Sequence, residues 1–394
     1  LLIKVTASSF QHLYCVNADE FLLELLQKRD GLGLLRRLKT LPGTVDFSSN
    51  DYLGLARSDR LKSTIAAFIS SHPQLPVGST GSRLLAGNSA LAESLEKKIA
   101  SFHGAETGLL FNSGYDANLG FFSSVPQRND VVFYDELIHA SVHDGMKMGK
   151  AETISFRHNN VVDLETKLDE ARRKNQSNQL FVAVETLYSM EGDSPPLETL
   201  VSVSERYRAL LVADEAHATG VIGERGEGLV SSRGLQLKVF ARLHTFGKAL
   251  GCHGAIILGS PALREFLINF ARSLIYTTAL PYPDLAAIAC SYELFPQANE
   301  ERKKLNEIIQ CYRKTTNELF QSAAAIDSPI QSLIIPGNEN VKQVANELQK
   351  KYDVRALVSP TVPRGKERLR ICLHSFNRPE EVYSFLHEVK KLTS

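Results

Sequence analysis

The spacing of apolar residues changes character along the chain. In ADEFLLELLQKRDGLGLLRRLK (18–39) apolar positions recur at helical intervals, which predicts an amphipathic helix packed on the main body and loosened at Gly31 and Gly33. From VDFSSNDYLGLA (45–56) onward, short β-rich runs alternate with helical patterns. TGLLFN, DVVFYD, AETISF, QLFVAVET and ALLVADEA are each followed by turn residues and a helix-like stretch, and a further strand is expected just before TFGKALG. Such alternation builds βαβ units, hence an α/β chain with a mostly parallel sheet and helices on both faces. After YTTALPYP (276–283) the rhythm breaks. A long helical reach, NEERKKLNEIIQCYRKTTNELFQS, leads into QSLIIP, a helix, VRALVSP, RLRICLH and a final helix, which predicts a smaller C-terminal α+β lobe. The expected division is an N-terminal helical segment (1–45), a large domain (46–282) and a small C-terminal domain (283–394). The chain contains no internal repeat and no low-complexity tract.

Composition narrows the classes. A length of 394 residues with 43% hydrophobic content can bury a sizeable core in two lobes. Lys and Arg number 45 against 44 Asp and Glu, a net charge of +1, so neither nucleic acid nor a charged membrane surface is an expected partner. Cys15, Cys252, Cys290, Cys311 and Cys372 are scattered without a CxxC pair, which suits a reducing compartment and argues against disulfides and structural zinc; the cytoplasm is the expected location. The opening LLIKVTASSFQHLYCV lacks an initiator methionine and the apolar core of a signal peptide, and no stretch approaches the ~20 apolar residues of a membrane span. A soluble chain whose true start lies upstream is expected.

In a sheet of this kind ligands sit at the carboxyl ends of the strands. After TGLLF, the run NSGYDAN would open a helix at Ser113 and Gly114, giving either a simple cap or backbone N–H groups for a phosphate. After DVVFYD, ELIHASVHDG sets His139 and His143 one turn apart. That spacing could suit a metal, but no HExxH glutamate or third ligand accompanies it; an imidazole here could stack on an aromatic ligand or merely pack. After ALLVA, DEAHATG puts Asp214 at a strand tip, where a buried carboxylate needs a cationic partner or several hydrogen bonds, with His217 three residues on. LLVADEAH also resembles the magnesium-binding strand of DEAH-type helicases, yet the upstream GxxxxGK[ST] loop that such an NTPase requires is missing. Finally, HTFGKALGCHGA places Lys248 among glycines and small residues. A lysine beside a phosphate site, a ring-stacking histidine and a buried aspartate supplies what pyridoxal 5′-phosphate needs, an amine for a Schiff base and a carboxylate to keep the pyridine nitrogen protonated. No metal is expected.

FSSNDYLGLA, GSTGSRLLAGN, NSGYDANLG, DELIHAS, VETLYSMEGD, DEAHATGVIGERG, TFGKALG, YTTALP and SPTVPRGKERLRICLH together resemble the α-oxoamine synthases, pyridoxal-phosphate enzymes of fold type I (aspartate aminotransferase-like), from about residue 20 to the end. SRLLAGN with SPTVP is most similar to the members that condense L-alanine with pimeloyl-CoA, or a pimeloyl-carrier thioester, in biotin synthesis. Sister activities making 5-aminolevulinate, 2-amino-3-ketobutyrate or 3-ketosphinganine, and a fold-type I aminotransferase, are the alternatives. The resemblance implies that Lys248 carries the cofactor, Asp214 pairs with its ring nitrogen, His139 stacks on the ring, and His217 and Ser189 bond its polar edge. It implies Gly114, Tyr115 and Thr245 at the phosphate, with Thr277 or Thr278 reaching the phosphate of a neighbouring subunit, hence a homodimer with shared active sites. Asn50 and Arg370 match positions that handle the amino-acid carboxylate, Arg36 and Thr361 match substrate-binding positions, and Glu185 lies near the catalytic centre. One departure stands out: GNSALAESLE has Ala92 where relatives often carry histidine.

Overall fold

The computed structural model describes residues 7–40, 43–174, 179–321 and 326–394, with side chains from Asp19 onward. Its strands, in chain order, are β1 (Val45–Asp46), β2 (Thr107–Phe111), β3 (Val131–Asp135), β4 (Glu152–Phe156), β5 (Leu180–Glu185), β6 (Ala209–Asp214), β7 (Ala241–Thr245), β8 (Ala255–Gly259), β9 (Ile330–Ile334), β10 (Tyr352–Asp353), β11 (Arg355–Leu357) and β12 (Arg368–Cys372). Seven of them form one sheet in the order β2-β8-β7-β6-β5-β3-β4. β7, β6, β5, β3 and β4 run parallel, whereas β8 is antiparallel to both its neighbours.

β5 shows why the sequence takes this form. Its six residues, LFVAVE, are all buried, as a central strand covered on both faces requires. Alternation then sorts them: Phe181 and Ala183 join the core under the helices Gly114–Ser124 and Ala140–Met148, while Leu180, Val182 and Val184 join the core under Val161–Lys174 and Leu197–Arg206. A second sheet, β11-β12-β9, is antiparallel and carries the C-terminal helices. β1 pairs in parallel with β10, and Phe47 packs on Phe385 with ring centroids 4.8 Å apart, so the chain just before the large sheet is stitched to the C-terminal lobe. A third core runs without a break from Phe47 and Tyr52 through Phe246 and Leu250 to Ile330 and Phe385.

Two features differ from the sequence expectation. The first helix runs Ala7–Gly31, but Phe21, Leu22, Leu23, Leu25 and Leu26 are between 46% and 58% exposed, so they do not pack on the body of this chain. At 3.6 residues per turn these five apolar residues spread over about 200° of the helix, a face broader than the single stripe that packing on one neighbouring surface buries. The second is β8, AIILG, which the alternating pattern did not single out. Residues 246–254 are too few for a crossover helix, so the chain can only return antiparallel. Among the described residues no helix is long and apolar enough to cross a membrane. Cys252, Cys290, Cys311 and Cys372 are free thiols; Cys15 lies outside the described side chains.

Candidate active site

Parallel pairing sets Glu185 at the tip of β5 beside Asp214 at the tip of β6. Asp214 is buried, and each oxygen accepts one bond: Oδ1 from the Ala216 N–H at 2.9 Å and Oδ2 from Asn118 Nδ2 at 2.8 Å. Glu185 is also buried. Its Oε2 accepts from the Ser189 N–H at 3.3 Å, whereas Oε1 has no partner. Burial, reinforced by the charge of Asp214, pushes the Glu185 carboxyl well above the usual range.

Lys248 follows β7 in a turn closed by three backbone bonds, Gly251 N–H to Lys248 O, Cys252 N–H to Phe246 O and Phe246 N–H to Gly254 O. Gly251 has φ +68°, and a Cβ there would lie 2.3 Å from the Ala56 nitrogen, so the small residues around the lysine seat its turn directly on the backbone at 55–56. The Lys248 pKa is lowered to about 8: burial disfavours the ammonium and outweighs the pull of Asp214 and Glu185, and Arg370 adds to the depression.

His139 caps the helix Ala140–Met148. Its Nδ1 accepts the Ser141 N–H at 3.2 Å and lies 2.7 Å from Ser141 Oγ. Burial holds its pKa below the ordinary histidine value against the attraction of Asp214, with Lys248 working in the same sense as burial. Asn118 donates to Ser141 Oγ as well as to Asp214, so the aspartate and the histidine share one buried network. His217 has its Nδ1 2.7 Å from the Tyr52 hydroxyl; burial, with Lys248 and Arg370 adding to it, holds its pKa well below the ordinary histidine value.

Ser113 caps the helix Gly114–Ser124, accepting the Asp116 N–H. Thr245 sits beside that helix start: a Cβ on Gly114 would be 3.6 Å from its Oγ1. Tyr115 is exposed and donates to Asp144. Thr277 and Thr278 lie against Asn112 in the same chain, Asn112 Nδ2 donating to Thr277 Oγ1 at 3.1 Å and to Thr278 O at 2.8 Å.

On the C-terminal side, β12 aims Arg370 at this cluster. Nε donates to Ser189 O at 2.7 Å, Nη2 to Asn50 Oδ1 at 3.0 Å and Nη1 to Cys372 Sγ at 3.0 Å. Arg36 and Thr361 are placed elsewhere. They line a basic groove of about 860 Å³ with Arg29, Arg37, Lys39, Lys342 and Arg355. The structure thus gathers Lys248, Asp214, Glu185, His139, His217, Ser189, Asn50 and Arg370, sets Gly114, Tyr115, Thr245, Thr277 and Thr278 along one edge, and keeps Arg36 and Thr361 in the groove.

Asn118, Ser141 and Tyr52 were missed in the sequence. Two carried a faint signal: Asn118 is a lone amide before the apolar LGFF, and Ser141 follows His139 by two residues, but only the fold shows where either points.

The aminotransferase class I and II family matches residues 42–386. The 8-amino-7-oxononanoate synthase of Emericella nidulans is 44% identical over 390 residues, covering 93% of this chain and 94% of that protein. The crystal structure of 8-amino-7-oxononanoate synthase from Francisella tularensis superposes with a TM-score of 0.74 at 27% identity, covering 88% of this chain and 97% of that one. A serine palmitoyltransferase structure containing pyridoxal phosphate reaches a TM-score of 0.83 at 25% identity over 96% of this chain and 98% of that one. The chain therefore has the fold-type I transferase architecture and belongs to the aminotransferase class I and II family, where it is related to the α-oxoamine synthases.

Proposed function

We propose that the chain is a pyridoxal 5′-phosphate enzyme that joins L-alanine to a pimeloyl thioester with loss of carbon dioxide, the reaction expected of the 8-amino-7-oxononanoate synthases it resembles. The observation that carries this reading is a buried lysine amine lowered to about pKa 8 within the field of two carboxyls at adjacent strand tips, with two histidines in the same cluster whose pKa values are also lowered. The donor set fits the cofactor. Asp214 keeps lone pairs beyond its two in-chain bonds, Glu185 Oε1 has no partner of its own, and Thr245 lies beside an open helix start.

When bound, pyridoxal phosphate supplies an aldehyde that captures amines and a protonated ring that withdraws electrons from the substrate α-carbon. Asp214, buried at the tip of β6, would pair with the ring nitrogen and favour its protonated form. Lys248 Nζ, poised near neutrality, takes the α-proton of alanine and later returns one. His139 and His217, uncharged, lend flat surface and hydrogen-bonding edges without competing for Asp214. Arg370 and Asn50 hold the alanine carboxylate in a planar fork, which orients the bonds at the α-carbon. The basic groove with Arg36 and Thr361 receives the acyl donor's acidic end.

The reading extends to a homodimer whose Thr277 or Thr278 completes the neighbour's phosphate site. In support, Tyr276 is 72% and Leu85 86% exposed near that edge. Light scattering at low micromolar concentration should give twice the chain mass; a monomer with full activity would remove this extension.

The test is incubation with pyridoxal phosphate, L-alanine and pimeloyl-CoA. The expected result is free CoA thiol, released carbon dioxide and 8-amino-7-oxononanoate by mass spectrometry, with borohydride fixing the cofactor on Lys248. Turnover only with serine and palmitoyl-CoA, or fixation on another residue, would overturn it.

A further inference from the structure

We propose that His158 is a positioning residue for the amino-acid carboxylate site: its ring ties Asp193 to Asp135 and so fixes the 188–193 turn, whose Ser189 carbonyl holds Arg370. The inference rests on the α-oxoamine synthase reading of the site.

His158 follows β4, and both its ring nitrogens meet carboxylates. Nδ1 is 2.8 Å from Asp135 Oδ1, at the tip of β3, and Nε2 is 3.0 Å from Asp193 Oδ2. A neutral imidazole has one N–H and could satisfy one acid only, so both contacts together require the cation. Asn159 Nδ2, near the same ring nitrogen, donates to Asp193 Oδ2 at 2.8 Å, and the Asn159 N–H donates to Asp135 Oδ2 at 2.8 Å. Burial opposes the charge, yet the bonds to Asp135 and Asp193 lift the His158 pKa to about 10. The ring also meets Tyr188 edge-on, with centroids 4.6 Å apart.

Asp193 closes a tight turn. The Tyr188 N–H donates to Asp193 O at 2.9 Å and the Gly192 N–H to Tyr188 O at 2.8 Å. At the turn's other side the Ser189 carbonyl accepts from Arg370 Nε at 2.7 Å. Gly192, at φ +78°, sits so close to β9 that a Cβ would meet Ile330 O at 2.1 Å. The turn therefore bridges the large sheet and the C-terminal lobe: the Ser189 N–H reaches Glu185 at the tip of β5, while His158, with Asn159 beside it, ties Asp193 to the tip of β3. No substrate or cofactor contact is required of the histidine.

Wild-type turnover with alanine and pimeloyl-CoA tests the reading on which this rests. The inference itself is tested by comparing His158→Gln and Asp193→Asn with wild type, each loaded with pyridoxal phosphate. Losing a charge-assisted bond should raise KM for L-alanine about tenfold or more in either variant, leave KM for pimeloyl-CoA within about twofold, and speed amide hydrogen exchange across 188–193. The double variant should match the singles rather than multiply them. An unchanged alanine KM in an active wild-type background, an equal rise in both KM values, or unaltered exchange in 188–193 would overturn the proposal. If His158→Gln does not fold, Asp193→Asn decides alone.

Discussion

Arg370→Lys isolates what the guanidinium fork contributes. Arginine at this position spends one N–H on each of Ser189 O, Asn50 Oδ1 and Cys372 Sγ, and keeps the remaining N–H groups of its two terminal nitrogens for a carboxylate. A lysine ammonium reaching from the same Cα has three donors at one point and cannot span Ser189 O and Asn50 Oδ1 together. At least one of these acceptors is left unpaired in a half-buried site, a cost of about 1–3 kcal/mol to stability. The second charge-assisted bond to the alanine carboxylate is lost as well, about 1.5–3 kcal/mol, so kcat/KM for alanine should fall roughly 10–100-fold. Both losses are measurable: a thermal melt reports the first and initial rates against L-alanine at saturating pimeloyl-CoA report the second. If Arg370→Lys retained wild-type kcat/KM while melting normally, the arginine would not be gripping the carboxylate, and the orientation argument built on it would fall.

Other consequences follow from local geometry. Gly251→Ala forces a side chain into a left-handed conformation with its Cβ 2.3 Å from the Ala56 nitrogen, which should destabilise the protein by about 2–4 kcal/mol and loosen the Lys248 turn; an unchanged melting temperature together with normal borohydride fixation would show that the turn is not seated on residues 55–56. Asp46 is held at a pKa of about 2: burial opposes ionisation, but the Ser49 and Ser48 N–H groups, the Ser49 hydroxyl and nearby His374 favour it more. A carboxylate depressed below its ordinary 3.8 stabilises the fold above about pH 4 by roughly 2 kcal/mol, a contribution lost as pH falls toward 2, so Asp46→Asn should flatten the acid limb of the stability profile and an unaltered limb would refute it.

The large sheet was legible because each strand carries its own signal. TGLLF, VVFYD, ETISF, LFVAVE and ALLVAD are apolar or alternating runs bounded by turns, and the structure makes each a strand at almost the same residues. β8 was less legible, because its direction is decided by the length of the preceding turn and not by its composition. The first helix misled for a different reason: helical spacing fixes the conformation of FLLELL, whereas what covers its leucines is a property of the surroundings. Residues of the site that directly follow strands, Asp214, His139 and Lys248, could be read because topology alone puts strand tips together. Those recruited across long separations could not. Asn118 meets Asp214 from 96 positions away and Tyr52 meets His217 from 165, contacts that depend on how helices pack over the sheet. The same holds for His158, whose two carboxylate partners are Asp135 at the tip of β3 and Asp193 in the 188–193 turn, 23 and 35 positions away.

Two acids and one lysine share the tips of adjacent strands, and their hydrogen bonds divide the charge between them. Asp214 is met by two N–H donors at ordinary distance, one from backbone and one from an amide that is itself fixed by Ser141. Donors of that kind stabilise an ionised carboxylate. Glu185, one strand over, receives a single long bond of 3.3 Å and leaves Oε1 bare, while burial and Asp214 drive it toward the protonated form. That upward shift lessens the repulsion between the two neighbouring carboxyls. Both carboxyls act on one amine whose own charge is marginal near pH 8. Such an arrangement suits a site whose aspartate would pair with a cationic ring nitrogen while the lysine stays able to lose its proton. It also explains the placing of a long cation beside small residues: Gly247, Ala249 and Gly251 let the turn sit on the backbone at 55–56 while Phe246 and Leu250 anchor it in the core, and Arg370 adds to the field on the amine from the other lobe.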